Sequence, residues 1–156
     1  MSPEPKGGGA PTSAQFDVRA ELHERVIHIR MSGFFQEPDM RALVAASERA
    51  TDEFRGRRHM VIADMRGMKP LYSQIAQLLG EGIRYGRQHG AVLCAHLSDH
   101  TVQRLQAARL VREISVNDEV TVDVQSVEEA IRVVDEARPR LDDPRYTGSI
   151  RDARAA

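Results

Sequence analysis

Apolar side chains are spaced differently from one part of the chain to the next, and the spacing predicts the order of the elements. In residues 16–22 and 26–31 apolar and polar positions alternate, which is typical of half-buried strands. The link between them, around His23 and Glu24, is so short that the two strands must be antiparallel. Apolar residues then recur three and four apart through residues 40–54, which predicts a helix.

The stretch of residues 59–90 predicts a complete strand, loop and helix. Its apolar run, residues 60–63, is too short for a surface helix and is typical of a strand buried on both faces of a parallel sheet. A loop with Gly and Pro follows, and from Ser73 onward the apolar residues fall on one face of a helix. Ser73 stands where an N-cap belongs, because its hydroxyl can accept hydrogen bonds from the amides of the first turn. Residues 91–97 predict another buried strand.

The remaining elements complete an alternating order of strands and helices. Apolar spacing predicts a helix over residues 102–114 and an edge strand over residues 120–124. A closing helix begins at a capping box, Ser126 to Glu129, and is stopped by Pro139. The order β-β-α-β-α-β-α-β-α predicts an α/β fold: a single domain with a mixed, mostly parallel sheet of about five strands and about four helices.

Composition sets the expected boundaries of this domain. Residues 1–14 are rich in Pro, Gly and Ser, which predicts a disordered leader. Residues 139–156 combine Pro, Gly and alternating charges, which predicts a flexible C-terminal tail. The domain is therefore expected to span residues 15–138.

Charge and cysteine content narrow the class of protein. The formal net charge of −1 gives no global attraction to nucleic acid or anionic lipid, and the densest basic group, residues 55–58, favours a solvated loop over a binding patch. One cysteine fits a reducing compartment. No apolar run approaches the length of a membrane span, and the N-terminal residues lack the apolar core of a signal peptide. We therefore expect a cytoplasmic protein.

Most side chains that could carry chemistry are better explained by structure. His96 and His100 are four apart, but the predicted strand-to-helix junction between them removes the helical geometry of a metal pair. Cys94 lies inside a predicted buried strand and is expected to pack rather than react. Asp64, at the end of a central strand, is either a functional acid or, as we favour, an acceptor for the amides of its own loop. No phosphate loop or nucleophile elbow is present, so we predict no metal, no cofactor and no catalytic residue.

Three glycines fall within the second predicted helix. Gly80, Gly82 and Gly86 each cost a helix up to about 1 kcal/mol relative to Ala. Their presence predicts close packing against a neighbouring helix or against a partner chain.

Four short motifs, taken with their order and spacing, resemble those of the STAS domain family. They are VIHIRMSG at residues 26–33, IADMRG at residues 62–67, GAVLCAHL at residues 90–97 and VQSVEEAI at residues 124–131. This family includes bacterial anti-sigma factor antagonists and the cytoplasmic part of sulphate transporters. The resemblance covers about residues 16–137 and implies a non-catalytic module for protein–protein interaction in signal transduction and transcription regulation.

The resemblance also implies a modification site at the start of the second helix. The family carries Asp-Ser-x-Gly there, with the serine phosphorylated by a cognate kinase, and the corresponding residues here are Tyr72, Ser73, Gln74 and Ile75. Ser73 matches the phosphoacceptor, whereas Tyr72 and Ile75 depart from the Asp and the Gly. Ser73 is thus a candidate phosphoacceptor, and a simple helix cap is the alternative.

By this resemblance the partner is a serine kinase/anti-sigma factor or another STAS-type protein. The predicted contact surface combines the loop before the second helix, the start of that helix and its outer flank: Asp64, Gly67, Met68, Lys69, Leu71, Tyr72, Ser73, Gln74, Gln77 and Glu81. Two alternatives remain open. One is a STAS scaffold without the switch in a larger assembly, which could include further copies of the chain. The other is a small-ligand sensor with a pocket near Asp64 and His96.

Overall fold

A computed structural model of the protein describes residues 13–99 and 120–146. These residues form five strands and three α-helices, and a short 3-10 helix, Arg138–Arg140, follows the last of them. In chain order the elements are β1 (Gln15–Glu21), β2 (Val26–Ser32), α1 (Glu37–Asp52), β3 (His59–Asp64), α2 (Ser73–Gln88), β4 (Ala91–Leu97), β5 (Thr121–Val124) and α3 (Val127–Ala137).

The five strands form one sheet in the order β1-β2-β3-β4-β5. β1 pairs with β2 antiparallel, and every later pair is parallel. The predicted α/β fold with a mixed, mostly parallel sheet is confirmed. The helix predicted over residues 102–114 and most of both predicted tails lie outside the described residues. None of the helices in the described ranges is both long enough and apolar enough to cross a membrane.

Helices cover both faces of the sheet, so the central strands are buried on two sides. Along β3, Val61 packs toward α1, whereas Met60 and Ile62 pack into a second core with α3. β2 divides in the same way: Ile27 faces α1 and Val26 belongs to the α3 core. This two-sided burial explains why residues 60–63 are continuously apolar.

Helices α1 and α2 pack closely at a glycine. A Cβ placed on Gly82 would lie 3.2 Å from Cγ2 of Val44, so the absent side chain lets the two helices approach. At the other end of this contact the hydroxyl of Tyr85 donates a hydrogen bond to the carboxylate of Asp52. Of the two explanations for the glycines, packing against a neighbouring helix is confirmed at Gly82.

The start of α3 carries the predicted cap in a slightly different form. The Ser126 hydroxyl accepts a hydrogen bond from the Glu129 amide at 3.1 Å, as expected for an N-cap. The Glu129 carboxylate accepts from the Gln125 amide at 2.7 Å instead of from the cap residue itself. In a standard capping box the carboxylate accepts from the amide of the N-cap residue, whereas here the donor is the residue before the N-cap.

The flexible tail predicted from residue 139 is wrong for residues 139–146. Leu141 is 0% exposed and Tyr146 is 4% exposed, and both belong to the α3 core. Two arginines that are distant in the sequence hold this segment. Arg58 donates to the carbonyl of Asp143 at 2.9 Å, and the buried Arg25 pairs with Asp142 at 2.9 Å. One basic residue of the predicted solvated loop, Arg58, thus anchors the C-terminal segment.

We predict that Leu141→Ala will lower the free energy of unfolding by about 2–5 kcal/mol, because it leaves a cavity in a closed core. The matched control is Leu22→Ala, since Leu22 is 48% exposed in the turn between β1 and β2. Its expected effect is within about 0.5 kcal/mol. Urea denaturation measures both, and equal effects of the two substitutions would contradict the packed position of residue 141.

Gly90 provides a second test of the fold. Its φ is +110°, and a Cβ there would lie 2.6 Å from the carbonyl oxygen of Arg57, which is backbone and cannot move away. We therefore expect Gly90→Ala to destabilise the protein by about 2 kcal/mol or more. Gly56 has φ +80° with no atom within 4 Å of the Cβ position, so Gly56→Ala should cost about 1–2 kcal/mol, from strain alone. Thermal and urea unfolding that ranked them in the reverse order would contradict this contact.

Candidate functional site

The predicted contact surface lies at the edge of the sheet where the parallel strands end. Residues 65–72 connect β3 to α2 at this edge, which is where α/β proteins commonly place binding groups. α2 then carries the surface away from the sheet along its outer side. The surface therefore has two parts, a loop and a helix flank.

Hydrogen bonds attach the loop to strands on both sides of β3. The Gly33 amide, just after β2, donates to the Gly67 carbonyl at 3.0 Å, and the Lys69 amide donates back to the Gly33 carbonyl at 3.0 Å. On the other side, the Gly67 amide donates to the Asp99 carboxylate at 3.0 Å. Gly67 itself has φ +83°, a conformation that favours glycine. The loop is consequently a fixed platform and not a free connection.

Asp64 organises the first turn of this loop. Its carboxylate accepts a hydrogen bond from the Arg66 amide at 3.1 Å and two from the Arg66 guanidinium at 3.0 and 2.9 Å. Burial alone would raise the pKa of the carboxyl group, but the hydrogen bonds from Arg66 and the charges of Arg66 and Arg30 hold that pKa below its ordinary value. These contacts fit the structural role that we favoured, with the acid accepting from its own loop.

Ser73 is the first residue of α2 and not its N-cap, so the predicted cap position is wrong by one residue. The N-cap is Tyr72, whose backbone is extended (φ −63°, ψ 152°) and whose carbonyl accepts from the amides of Ile75 and Ala76 at 3.0 and 2.9 Å. No side chain caps this end of the helix. The Ser73 side chain is exposed, so its hydroxyl is accessible at the start of α2.

The first turn of α2 also lacks the negative charge that the other two described helices carry. α1 has Glu37 and Asp39 in its first turn, and α3 has Glu128 and Glu129, whereas α2 has no acidic residue there. Acidic side chains at this position interact favourably with the positive end of the helix dipole. In α2 no acidic side chain of the first turn makes this interaction.

An aromatic pair stands beside Ser73. The ring of Tyr72 is 62% exposed and meets the ring of Phe34 edge to face, with 5.5 Å between the ring centroids. Phe34 was not among the predicted contact residues. Its position one residue after Gly33, which follows β2 at the same end of the sheet as the loop, is the signal that could have identified it.

The other predicted contact residues divide into exposed and buried sets. Gln74, Gln77 and Glu81 are exposed on one side of α2, and Lys69 is exposed in the loop. Met68 is only 6% exposed and packs in the core beneath α1 and α2. Its predicted role as a contact residue is therefore wrong for the side chain, which anchors the loop. Leu71, also predicted as a contact, is half-buried against the same core.

Asp64 and His96 do not share a pocket, contrary to the arrangement expected for the ligand sensor. In the β3–β4 register Ala63 pairs with His96, and Asp64 pairs with Leu97. Because successive residues of a strand point to opposite faces, Asp64 and His96 lie on opposite sides of the sheet. Asp64 borders a polar depression with Arg30 and Arg66. His96 lies on the α2 side, and His100 lies outside the described residues.

Comparisons with known proteins identify the fold. No family model matches the chain, and no curated protein matches it in sequence. One similar solved structure is an anti-sigma factor antagonist from Mycobacterium paratuberculosis, with 15% identity and a TM-score of 0.54 over 81% of this chain and 98% of that chain. Another is a DUF3478-family protein with a SpoIIAA-like fold from Shewanella loihica PV-4, with 12% identity and a TM-score of 0.57 over 78% of this chain and 93% of that chain.

At these identities the likeness concerns the fold alone. The mixed sheet, the connections between its strands and both similar structures agree with the resemblance seen in the four sequence motifs. The protein therefore has the fold of a STAS-like domain.

Proposed function

We propose that the protein is a non-catalytic interaction module that binds a regulatory protein through the fixed loop of residues 65–72, the start of α2 and its outer flank. The observation that carries this proposal is the exposed group formed by Tyr72, Ser73 and Gln74 on a loop that is hydrogen-bonded to both neighbouring strands. A surface that is ordered before binding loses little conformational entropy when a partner docks. The protein makes or breaks no covalent bond in this role.

The chemistry of the surface suits a protein partner. Tyr72 offers an exposed aromatic ring, supported from below by the half-buried Phe34, and tyrosine is among the residues that contribute most to the centres of protein interfaces. Around them Lys69, Gln74 and Gln77 supply polar groups that suit the rim of an interface. Together they combine an aromatic centre with a polar border.

Ser73 gives this surface a switch. A phosphate on its exposed hydroxyl would add about −1.5 to −2 charges at the start of α2. The amides and the dipole of the helix stabilise such a charge by about 0.3–1 kcal/mol at an exposed site, and no acidic side chain of the first turn competes for them. Phosphorylation therefore leaves the fold intact and changes only the charge that a partner meets.

The partner that fits best is a serine kinase/anti-sigma factor in the cytoplasm of a bacterium. The four sequence motifs resemble the STAS family, and a protein of similar fold is described as an anti-sigma factor antagonist. A STAS scaffold without the switch, bound to other STAS-type chains, is the alternative. The two are distinguished by what binds and by whether Ser73 is modified.

The docking surface can be tested by site-specific photo-crosslinking in the native cell. A photoreactive amino acid at Gln74 or Gln77 should crosslink one regulatory protein, and the same group at Arg132, exposed on α3, should not. Tyr72→Ala should then weaken binding of the identified partner about tenfold in a purified system, because it removes the aromatic contact. Equal crosslinking from α3, or turnover of a substrate by the purified protein, would contradict the proposal.

The switch is tested by intact-mass analysis of the protein purified from its native cell. We expect a phosphorylated fraction that is lost in Ser73→Ala, and we expect Ser73→Glu to shift affinity for the partner while leaving thermal unfolding nearly unchanged. The absence of phosphate in every growth condition, or phosphate retained in Ser73→Ala, would exclude Ser73 as the phosphoacceptor and favour the scaffold.

A further inference from the structure

A cavity of about 130 Å³ lies between α2 and the face of the sheet that α1 and α2 share. The sheet contributes Ile29, Val61 and Ala63 to its walls, and α2 contributes Leu79 and Ile83. It is separate from the polar depression beside Asp64, which lies on the other face. The cavity therefore belongs mainly to the apolar interior, and it meets the docking surface at the loop, where Lys69 lines it.

Small residues account for this space. Ala63 lies in the β3 wall, and Ala76, Gly82 and Gly86 lie in the α2 wall. Gly82 also brings α2 against Val44 of α1, so the helix is held in place by α1 beside the cavity and not only by the sheet beneath it. Ala63 and Ala76 are therefore the positions from which a larger side chain is expected to enter the cavity.

The walls are almost entirely hydrocarbon. Water in a cavity needs two to four polar partners, and apolar cavities of about 150 Å³ stay dry and bind molecules such as benzene. A space of about 130 Å³ therefore suits a molecule with roughly six to eight carbon atoms.

The charged groups at the cavity select the sign of its ligand. Among the described residues that line it, Lys69, Arg87 and His96 have basic side chains and none is acidic, although the whole chain has a net charge of −1. Lys69 belongs to the loop at one end of α2, and Arg87 lies in its last turn, so positive charge borders the cavity near both ends of the helix. Arg87 donates to the Thr121 hydroxyl at 3.1 Å, whereas Lys69 is exposed and able to meet a ligand from solvent.

We propose that this cavity binds a medium-chain monocarboxylate, with the alkyl chain against Ala63 and Leu79 and the carboxylate near Lys69. The apolar walls take up the chain, and the basic side chain at the loop end pairs with the carboxylate. The inference goes beyond the proposed docking function, although Lys69 belongs to both sites, because ligand binding is measured on the protein alone.

The test uses octanoate as the probe and the full chain. Octanoate should raise the unfolding temperature in a saturable, concentration-dependent manner, and octylamine, which has the same chain with the opposite charge, should not. Lys69→Ala should weaken octanoate binding severalfold in calorimetric titration. Failure of octanoate to bind, or equal binding of octylamine, would overturn the proposal whatever the fate of the docking experiment.

Filling the cavity provides the matched variants. Ala63→Ile fills it from the sheet and Ala76→Leu fills it from α2, so each should reduce octanoate affinity by at least about tenfold without lowering the unfolding temperature. Val127→Ile, on the exposed side of α3, adds one methylene away from the cavity and should leave binding unchanged. Unaltered octanoate binding in a folded Ala63→Ile or Ala76→Leu protein would show that the ligand binds elsewhere.

Discussion

The two-residue alternation of side chains along buried parallel strands governs this structure. β3 sends Val61 and Ala63 toward α1 and α2, and it sends Met60, Ile62 and Asp64 toward the opposite face. Both faces are covered by helices, so a shift of one residue would exchange the contents of two cores. This constraint places Ala63 at the apolar cavity and the next residue, Asp64, at the polar depression on the opposite face of the sheet.

Much of the fold could be predicted from the sequence because its elements follow local periodicity. The continuous apolar run of residues 60–63 indicated burial on two faces, and the spacing within residues 40–54 indicated α1. The C-terminal segment could not be found in this way. Leu141 and Tyr146 are isolated in a polar stretch, and the side chains that hold the segment, Arg25 and Arg58, are far away in the sequence. Contacts with residues so distant in the sequence cannot be predicted from local composition.

The candidate site was predictable in position but not in detail. The loop and the start of α2 lie where the motifs predicted them. The exact start of a helix depends on backbone geometry, however, and α2 begins one residue earlier than expected, so Ser73 is its first residue and not its N-cap. Met68 was predicted as a contact but is buried, at the point where a backbone bridge pairs it with Gly33. Phe34, which was not predicted, packs against Tyr72. The cavity could not be predicted from the sequence, because residues on several separate elements line it.

The pairing of Arg25 with Asp142 joins residues 117 positions apart, and this has a consequence for biosynthesis. As the chain leaves the ribosome, the hairpin of β1 and β2 emerges long before Asp142. Bringing two residues so far apart in the sequence together has an entropic cost, which other contacts of the folded chain must offset. The guanidinium of Arg25 can meet the carbonyl of Arg58 much earlier, but it lacks its carboxylate partner until residue 142 is made. Folding of the nascent polypeptide is completed only after residue 142 has been made, so a prematurely terminated product would resemble an intermediate and not a smaller domain.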